Sequence, residues 1–132
     1  MDPIGPTDEP LSRRLVLLVD DNEDAATSMA RLLAFWGFHV QIARDATSAL
    51  DALASCPPDV LITDLALPDQ DGRVVSKTAR TLPKPPLCLL VTGWPVDDEP
   101  SALEAIGVDR LFPKPVDFQK LHDYLFPGGR PE

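Results

Sequence analysis

The sequence predicts an α/β fold, a five-stranded parallel sheet doubly wound by helices, and three observations carry that prediction. Five short apolar runs alternate with segments of helical period. The connections between them are short, and the 15 prolines concentrate there and in the tails. Four of the runs are followed by polar residues, Asp20-Asp21, Asp64, Thr92 and Lys114. In a parallel sheet those residues share the C-terminal edge, where open α/β sheets bind their ligands.

The folded domain is expected over residues 14–126, between a flexible N-terminal tail, 1–13, and a C-terminal tail, 127–132. Pro3, Gly5, Pro6 and Pro10 among polar and acidic residues leave the first segment too little apolar surface to pack. Leu15-Val16-Leu17-Leu18-Val19 is the first strand, unbroken in the manner of a strand buried on both faces. Asn22 to Gly37 places Ala25, Met29, Leu32, Leu33 and Trp36 at helical spacing, with Gly37 as the stop. Phe38 to Ala43 alternates as a strand, with Phe38, Val40 and Ile42 on one face. Asp45 caps a helix running through Ser55, with Leu50, Leu53 and Ala54 turned inward.

Pro57-Pro58 forces a break before the strand Val60 to Thr63. The loop Asp64 to Gly72 leads into a short helix from Arg73 to about Leu82, ended by Pro83, Pro85 and Pro86. The strand Leu87 to Val91 follows, then Thr92-Gly93-Trp94-Pro95 and a helix from Pro100 that stops at Gly107. After the strand Leu111-Phe112 and the loop Pro113-Lys114-Pro115, Asp117 caps a last helix in which Phe118, Leu121 and Leu125 share a stripe.

With 132 residues, 44% of them hydrophobic, the chain can bury one respectable core. A net charge of −9 without a basic cluster argues against a nucleic-acid partner. No apolar stretch approaches the roughly 20 residues that span a bilayer, and the acidic start lacks the order of a signal peptide, so no membrane partner is expected and the chain reads as cytoplasmic. Cys56 and Cys88 read as two free structural thiols.

The chemistry lies in the acids. Asp20, Asp21 and Asp64 converge at the edge, and carboxylates so close repel unless a divalent cation neutralises them. Hard oxygen ligands suit Mg²⁺, and the backbone carbonyl of Ala66 can add another. Asp64 is the candidate nucleophile, able to take a phosphoryl group as an acyl phosphate. Lys114 can pair with an anionic oxygen, and the Thr92 hydroxyl can donate to a second.

Leu18-Val19-Asp20-Asp21-Asn22, the stretch Asp64-Leu65-Ala66-Leu67-Pro68-Asp69-Gln70-Asp71-Gly72, Val91-Thr92-Gly93 and Pro113-Lys114-Pro115 together resemble the receiver domain of two-component response regulators. The likeness runs from about Arg14 to Phe126, and the wording Thr92-Gly93-Trp94 and Lys114-Pro115-Val116-Asp117 is most similar to receivers of hybrid sensor kinases. The resemblance implies a flavodoxin-like (βα)5 fold with strand order 2-1-3-4-5 and a cis Lys114–Pro115 bond. It implies Asp64 as phosphoacceptor, Asp20 and Asp21 organising Mg²⁺, Thr92 as switch hydroxyl and Lys114 as phosphate sensor. One position departs from the pattern. Where the family often has an aromatic residue, three before the lysine, this chain has Leu111, and Phe112 is expected in the core.

The function expected is that of a single-domain response regulator, not an enzyme, which accepts a phosphoryl group from a histidine kinase or histidine phosphotransfer protein. Its signal would pass to a target protein through the face of the fourth helix, fifth strand and last helix. The alternative is a receiver module or phosphate sink of a hybrid-kinase phosphorelay. A haloacid-dehalogenase-like enzyme would need a second acid two residues after Asp64, where Ala66 stands. No glycine-rich nucleotide loop occurs. Trp94 has two readings, as a shield over the phosphoryl site or as a cover for the base of the helix from Pro100.

Overall fold

Val16 to Val19 are buried on both faces of β1 (Leu15–Val19), which is why that strand is an unbroken apolar run. The computed structural model describes residues 14–127; the expected tail 1–13 and all of the C-terminal tail beyond Pro127 lie outside the described residues. The chain alternates strictly: β1, α1 (Glu23–Phe35), β2 (His39–Ala43), α2 (Ala46–Ser55), β3 (Val60–Asp64), α3 (Arg73–Arg80), β4 (Leu87–Thr92), α4 (Pro100–Ala105), β5 (Arg110–Pro113) and α5 (Phe118–Leu125). All strand pairs are parallel and the sheet order is β2-β1-β3-β4-β5, the expected topology.

Two apolar layers result. Leu17, Val19, Leu61 and Leu90 point to the side covered by α2, α3 and α4, through Ala49, Leu53, Val75, Ala79 and Leu103. Val16, Leu18, Ile62, Leu89 and Phe112 point to the side covered by α1 and α5, through Ala26, Met29, Leu33, Leu121 and Leu125. Burial of each such side chain stabilises by about 1.5–3 kcal/mol. The two layers together set the sheet in place.

Several faces differ from the sequence expectation. In α1 the buried stripe is Ala26, Met29 and Leu33; Ala25 is exposed, one position out of phase. In α2 Ala46, Ala49, Ala52 and Leu53 face inward, while Ala54 is exposed. Ile42 is 36% exposed, because β2 is an edge strand with no neighbour to extend the layer over it. Phe118 is 42% exposed, because in the first turn of α5 it borders two cavities and only Leu121 and Leu125 reach the core. Cys56 and Cys88 are free, as expected; burial first, then the Asp109 carboxylate, pushes the Cys88 thiol up to about 12, which leaves it inert.

α3 and α4 are joined closely. The Ser76 hydroxyl, fully buried, donates to the Ile106 carbonyl at 2.5 Å. Gly107 has φ +78°, and a Cβ there would lie 2.6 Å from the Ser76 carbonyl oxygen. Gly93 is under no such constraint, since an added Cβ meets nothing nearer than Lys114 Cβ at 3.8 Å. Gly107→Ala should therefore lower unfolding stability by about 2 kcal/mol or more, and Gly93→Ala should stay within about 0.5 kcal/mol of the parent. Urea titration of both variants checks this, and equal losses would contradict it.

Candidate functional site

Strand register brings the polar ends together. Val19 lies beside Ala43 and Thr63, Asp64 beside Val91, and Thr92 beside Pro113, so Asp20, Asp64, Thr92 and Lys114 stand along one edge. Asp20 continues β1: its N–H donates to the Ala43 carbonyl at 3.1 Å. Its Oδ1 accepts the Asn22 N–H at 2.9 Å, and Asn22 in turn caps α1 by accepting the Ala25 N–H at 2.9 Å. Lys114 is brought in by its backbone N–H, which donates to the Thr92 carbonyl at 2.9 Å, and its bond to Pro115 is cis.

The Lys114 ammonium donates to Asp64 Oδ2 at 2.8 Å and reaches Asp20 Oδ2 at 3.4 Å. Asp64 Oδ1 accepts the Ala66 N–H at 3.3 Å. Asp20 and Asp64 are buried and Asp21 is exposed, and each offers a carboxylate oxygen within 4.8 Å of the others. One ammonium against three carboxylates leaves the cluster net negative. The donors are all oxygens, which fits a hard cation such as Mg²⁺ and not a thiophilic metal. Partial burial would pull the Lys114 ammonium down, but the hydrogen bond and charge of Asp64, with Asp20 adding to them, hold it above its ordinary value.

Loop β3–α3 is folded tightly against Asp64. Gly72 N–H donates to the Leu65 carbonyl at 2.7 Å, Ala66 bridges Asp71, and a Cβ on Gly72 would collide with the Asp64 carbonyl. Asp71-Gly72 is thus a close-approach site as well as a turn. Beside Asp64, a cavity of about 300 Å³ opens between α1 and the β5–α5 connection, lined by Asp20, Asn22, Met29, Lys114 and Phe118 among others.

Thr92 is buried and its hydroxyl accepts the Trp94 N–H at 3.0 Å. Trp94 itself is 66% exposed and lines a cavity of about 290 Å³ with Ala66, Leu67, Gln70, Asp71 and Arg73. Its place is therefore beside the β3–α3 loop. Phe112 is buried with Tyr124, their centroids 5.9 Å apart, and Leu111 packs half-buried on the other side of the sheet. His39 is exposed on the edge strand, and His122 stacks edge-on to Trp36 at 4.9 Å; neither lines the cavity beside Asp64.

Sequence reasoning missed Asp69. Its Oδ1 accepts the Ala46 N–H at 2.8 Å, and its Oδ2 accepts the Thr47 N–H at 3.0 Å and the Thr47 hydroxyl at 2.8 Å. The Ala46 N–H, against a weaker opposing effect of desolvation, and then the Thr47 groups pull its carboxyl down to about 2. No local signal in the chain pairs a loop acid with a helix start more than twenty residues earlier.

Residues 16–126 match the family model described as the response regulator receiver domain. The chain is similar to the response regulator MprA of Mycobacterium tuberculosis, with 36% identity over 107 residues, 80% of this chain and 46% of that protein. It therefore spans about half the length of the curated relatives it matches. Among solved structures it is similar to the signal receiver domain of an HD domain-containing protein from Pseudomonas fluorescens, at 32% identity and TM-score 0.74, covering 83% of this chain and 88% of that one. A CheY-like response regulator receiver domain protein from Methanospirillum hungatei matches at 25% identity and TM-score 0.79, covering 87% and 92%.

Lys114→Met should destabilise the metal-free protein, because it leaves Asp20 and Asp64 facing each other without a counter-charge. The loss should be about 1–2 kcal/mol, below the roughly 3–5 kcal/mol of a fully buried pair, because the lysine is partly exposed. A lysine held more tightly folded than unfolded stabilises fully below its free value of 10.5 and loses that contribution as pH climbs through its higher folded value. The gap between parent and variant should accordingly persist at neutral pH and close only above 10.5. Urea titrations on both sides of that value check it; a gap that closes near neutrality would overturn the pairing.

Proposed function

This chain belongs to the response regulator receiver domain family of two-component signalling, and from that premise we propose that Asp64 accepts a phosphoryl group from a phosphohistidine on a histidine kinase or histidine phosphotransfer protein. The observation that carries the reading is the cluster itself. Three carboxylates lie within 4.8 Å of one another with one ammonium 2.8 Å from Asp64, beside an open cavity.

In this reading an Asp64 carboxylate oxygen attacks phosphorus as the bond from phosphorus to the donor's imidazole nitrogen breaks, and the imidazole, which carries a proton on its other ring nitrogen, takes the bonding pair and leaves neutral. Asp20, Asp21, Asp64 and the Ala66 carbonyl are the residues that would hold Mg²⁺. When bound, the ion neutralises the acids and orients the phosphoryl oxygens. Lys114, already on Asp64, is placed to move its hydrogen bond to a phosphoryl oxygen. Thr92 gives up the bond it accepts from Trp94 and turns its hydroxyl toward another such oxygen. The shift of population that follows alters a protein-binding face, made by α4, β5 and α5.

Because Leu111 is too small to act as a swinging ring, the switch runs through the segment Gly93-Trp94-Pro95. The wording of Thr92-Gly93-Trp94 and Lys114-Pro115-Val116-Asp117 also supports a second reading, a receiver module or phosphate sink of a hybrid-kinase phosphorelay.

Incubation with acetyl phosphate should add one phosphoryl group only when Mg²⁺ is present, and Asp64→Asn should abolish it; intact mass spectrometry reads both. An adduct surviving in Asp64→Asn would sink the assignment. Phosphorylation should also change Trp94 fluorescence, and Leu111→Ala should leave that response largely intact. An unchanged signal on fully phosphorylated protein, or a response lost in a folded Leu111→Ala, would place the switch elsewhere.

A further inference from the structure

We propose that Asp69 is a positioning residue for the metal site, bracing the β3–α3 loop against the start of α2 so that the Ala66 carbonyl is held where a cation needs it. The inference rests on the reading that this loop supplies a Mg²⁺ ligand.

The loop from Asp64 to Gly72 leaves the sheet edge and returns to it. Its own closures, Gly72 N–H to Leu65 and the Ala66–Asp71 bridge, fix its shape but tie it to nothing else. On its Trp94 side lies a cavity of about 290 Å³, and the loop's packing comes from Leu65 and Leu67 near its start, leaving the stretch around Asp69 and Gln70 exposed. Among the described hydrogen bonds, Asp69 supplies the tie from this loop to α2, with three short bonds to Ala46 and Thr47. The partners suit a carboxylate well. Two are N–H groups at a helix start, where the backbone dipole favours negative charge.

The brace is anchored at a place that already serves the site. Asp20 N–H donates to the Ala43 carbonyl, and three residues on, Ala46 donates to Asp69. The segment from Ala43 to Thr47 thus contacts both sides of the cation site, the Asp20 side and the loop side. Ala66 sits between two fixed points, its N–H on Asp64 and the Asp69 brace beyond it. A backbone carbonyl is a weak single ligand, useful only if its direction is set in advance, and groups that orient a ligand from behind matter to affinity nearly as much as the ligand.

The same helix carries its own control. Asp45 also caps α2, accepting the Ser48 N–H at 2.8 Å, but it does not belong to the loop. Titration calorimetry with MgCl₂ on the whole chain should show Asp69→Ala weakening Mg²⁺ roughly tenfold, Thr47→Val weakening it less, and Asp45→Ala leaving it at the parent value. Amide exchange on the metal-free protein should be faster at Leu65 to Asp71 in Asp69→Ala and unchanged there in Asp45→Ala. Parent-like Mg²⁺ affinity in a folded Asp69→Ala, or equal weakening by Asp45→Ala, would overturn the brace and leave only a helix cap. A parent that binds no Mg²⁺ would instead defeat the functional reading, and unchanged loop exchange in metal-free Asp69→Ala would then still refute the brace.

Discussion

The pairing of the Lys114 ammonium with Asp64, and more distantly with Asp20, is the interaction on which the rest of the molecule depends. A parallel sheet places the ends of its strands on one edge, and here that edge receives three carboxylates. Their mutual repulsion would push β1 and β3 apart if nothing offset it. A single lysine delivered from the far strand by the Thr92–Lys114 backbone bond supplies partial compensation. Compensation that is only partial leaves the edge with an excess of negative charge.

The parts of the fold that were legible are those governed by burial on two faces. Strands such as Leu15 to Val19 and Leu87 to Val91 have neighbours on both sides and helices above and below, so every position is apolar and the run announces itself. The residues that meet at the sheet edge were legible for a related reason, since they mark where each run stops. Helix phase was harder to read. Ala25 and Ala26 differ by nothing in composition, and only the packing of Met29 and Leu33 on Ile62 and its neighbours decides which one faces inward. Ile42 and Phe118 misled because an apolar side chain on an edge strand or beside a cavity has no layer to join. Trp94 and Asp69 depend on where a loop meets an element distant in the chain, and chain spacing carries no information about that.

Acidity in this chain proves to be constructive. Beyond the acidic cluster, Asp59 accepts the Leu15 N–H at 2.8 Å and Asp109 accepts the Cys88 N–H at 2.8 Å, each satisfying a donor at the start of a strand. Asp45 and Asp117 cap α2 and α5, and Asp71 accepts the first N–H of α3 at 2.8 Å. A charge of −9 thus reflects how backbone donors are satisfied at element ends as well as the chemistry of one crevice.

The joint between α3 and α4 bears on how motion can travel. Ser76 grips the Ile106 carbonyl, and Gly107 lies so close to the Ser76 carbonyl that the two backbones have no room to slide. From Gly93 to Glu99, by contrast, the chain is in no helix or strand and is largely exposed. The segment is thus held fast at its far end and free of regular structure at its near end. Conformational freedom in this part of the chain is therefore concentrated beside Thr92 and falls away toward Gly107.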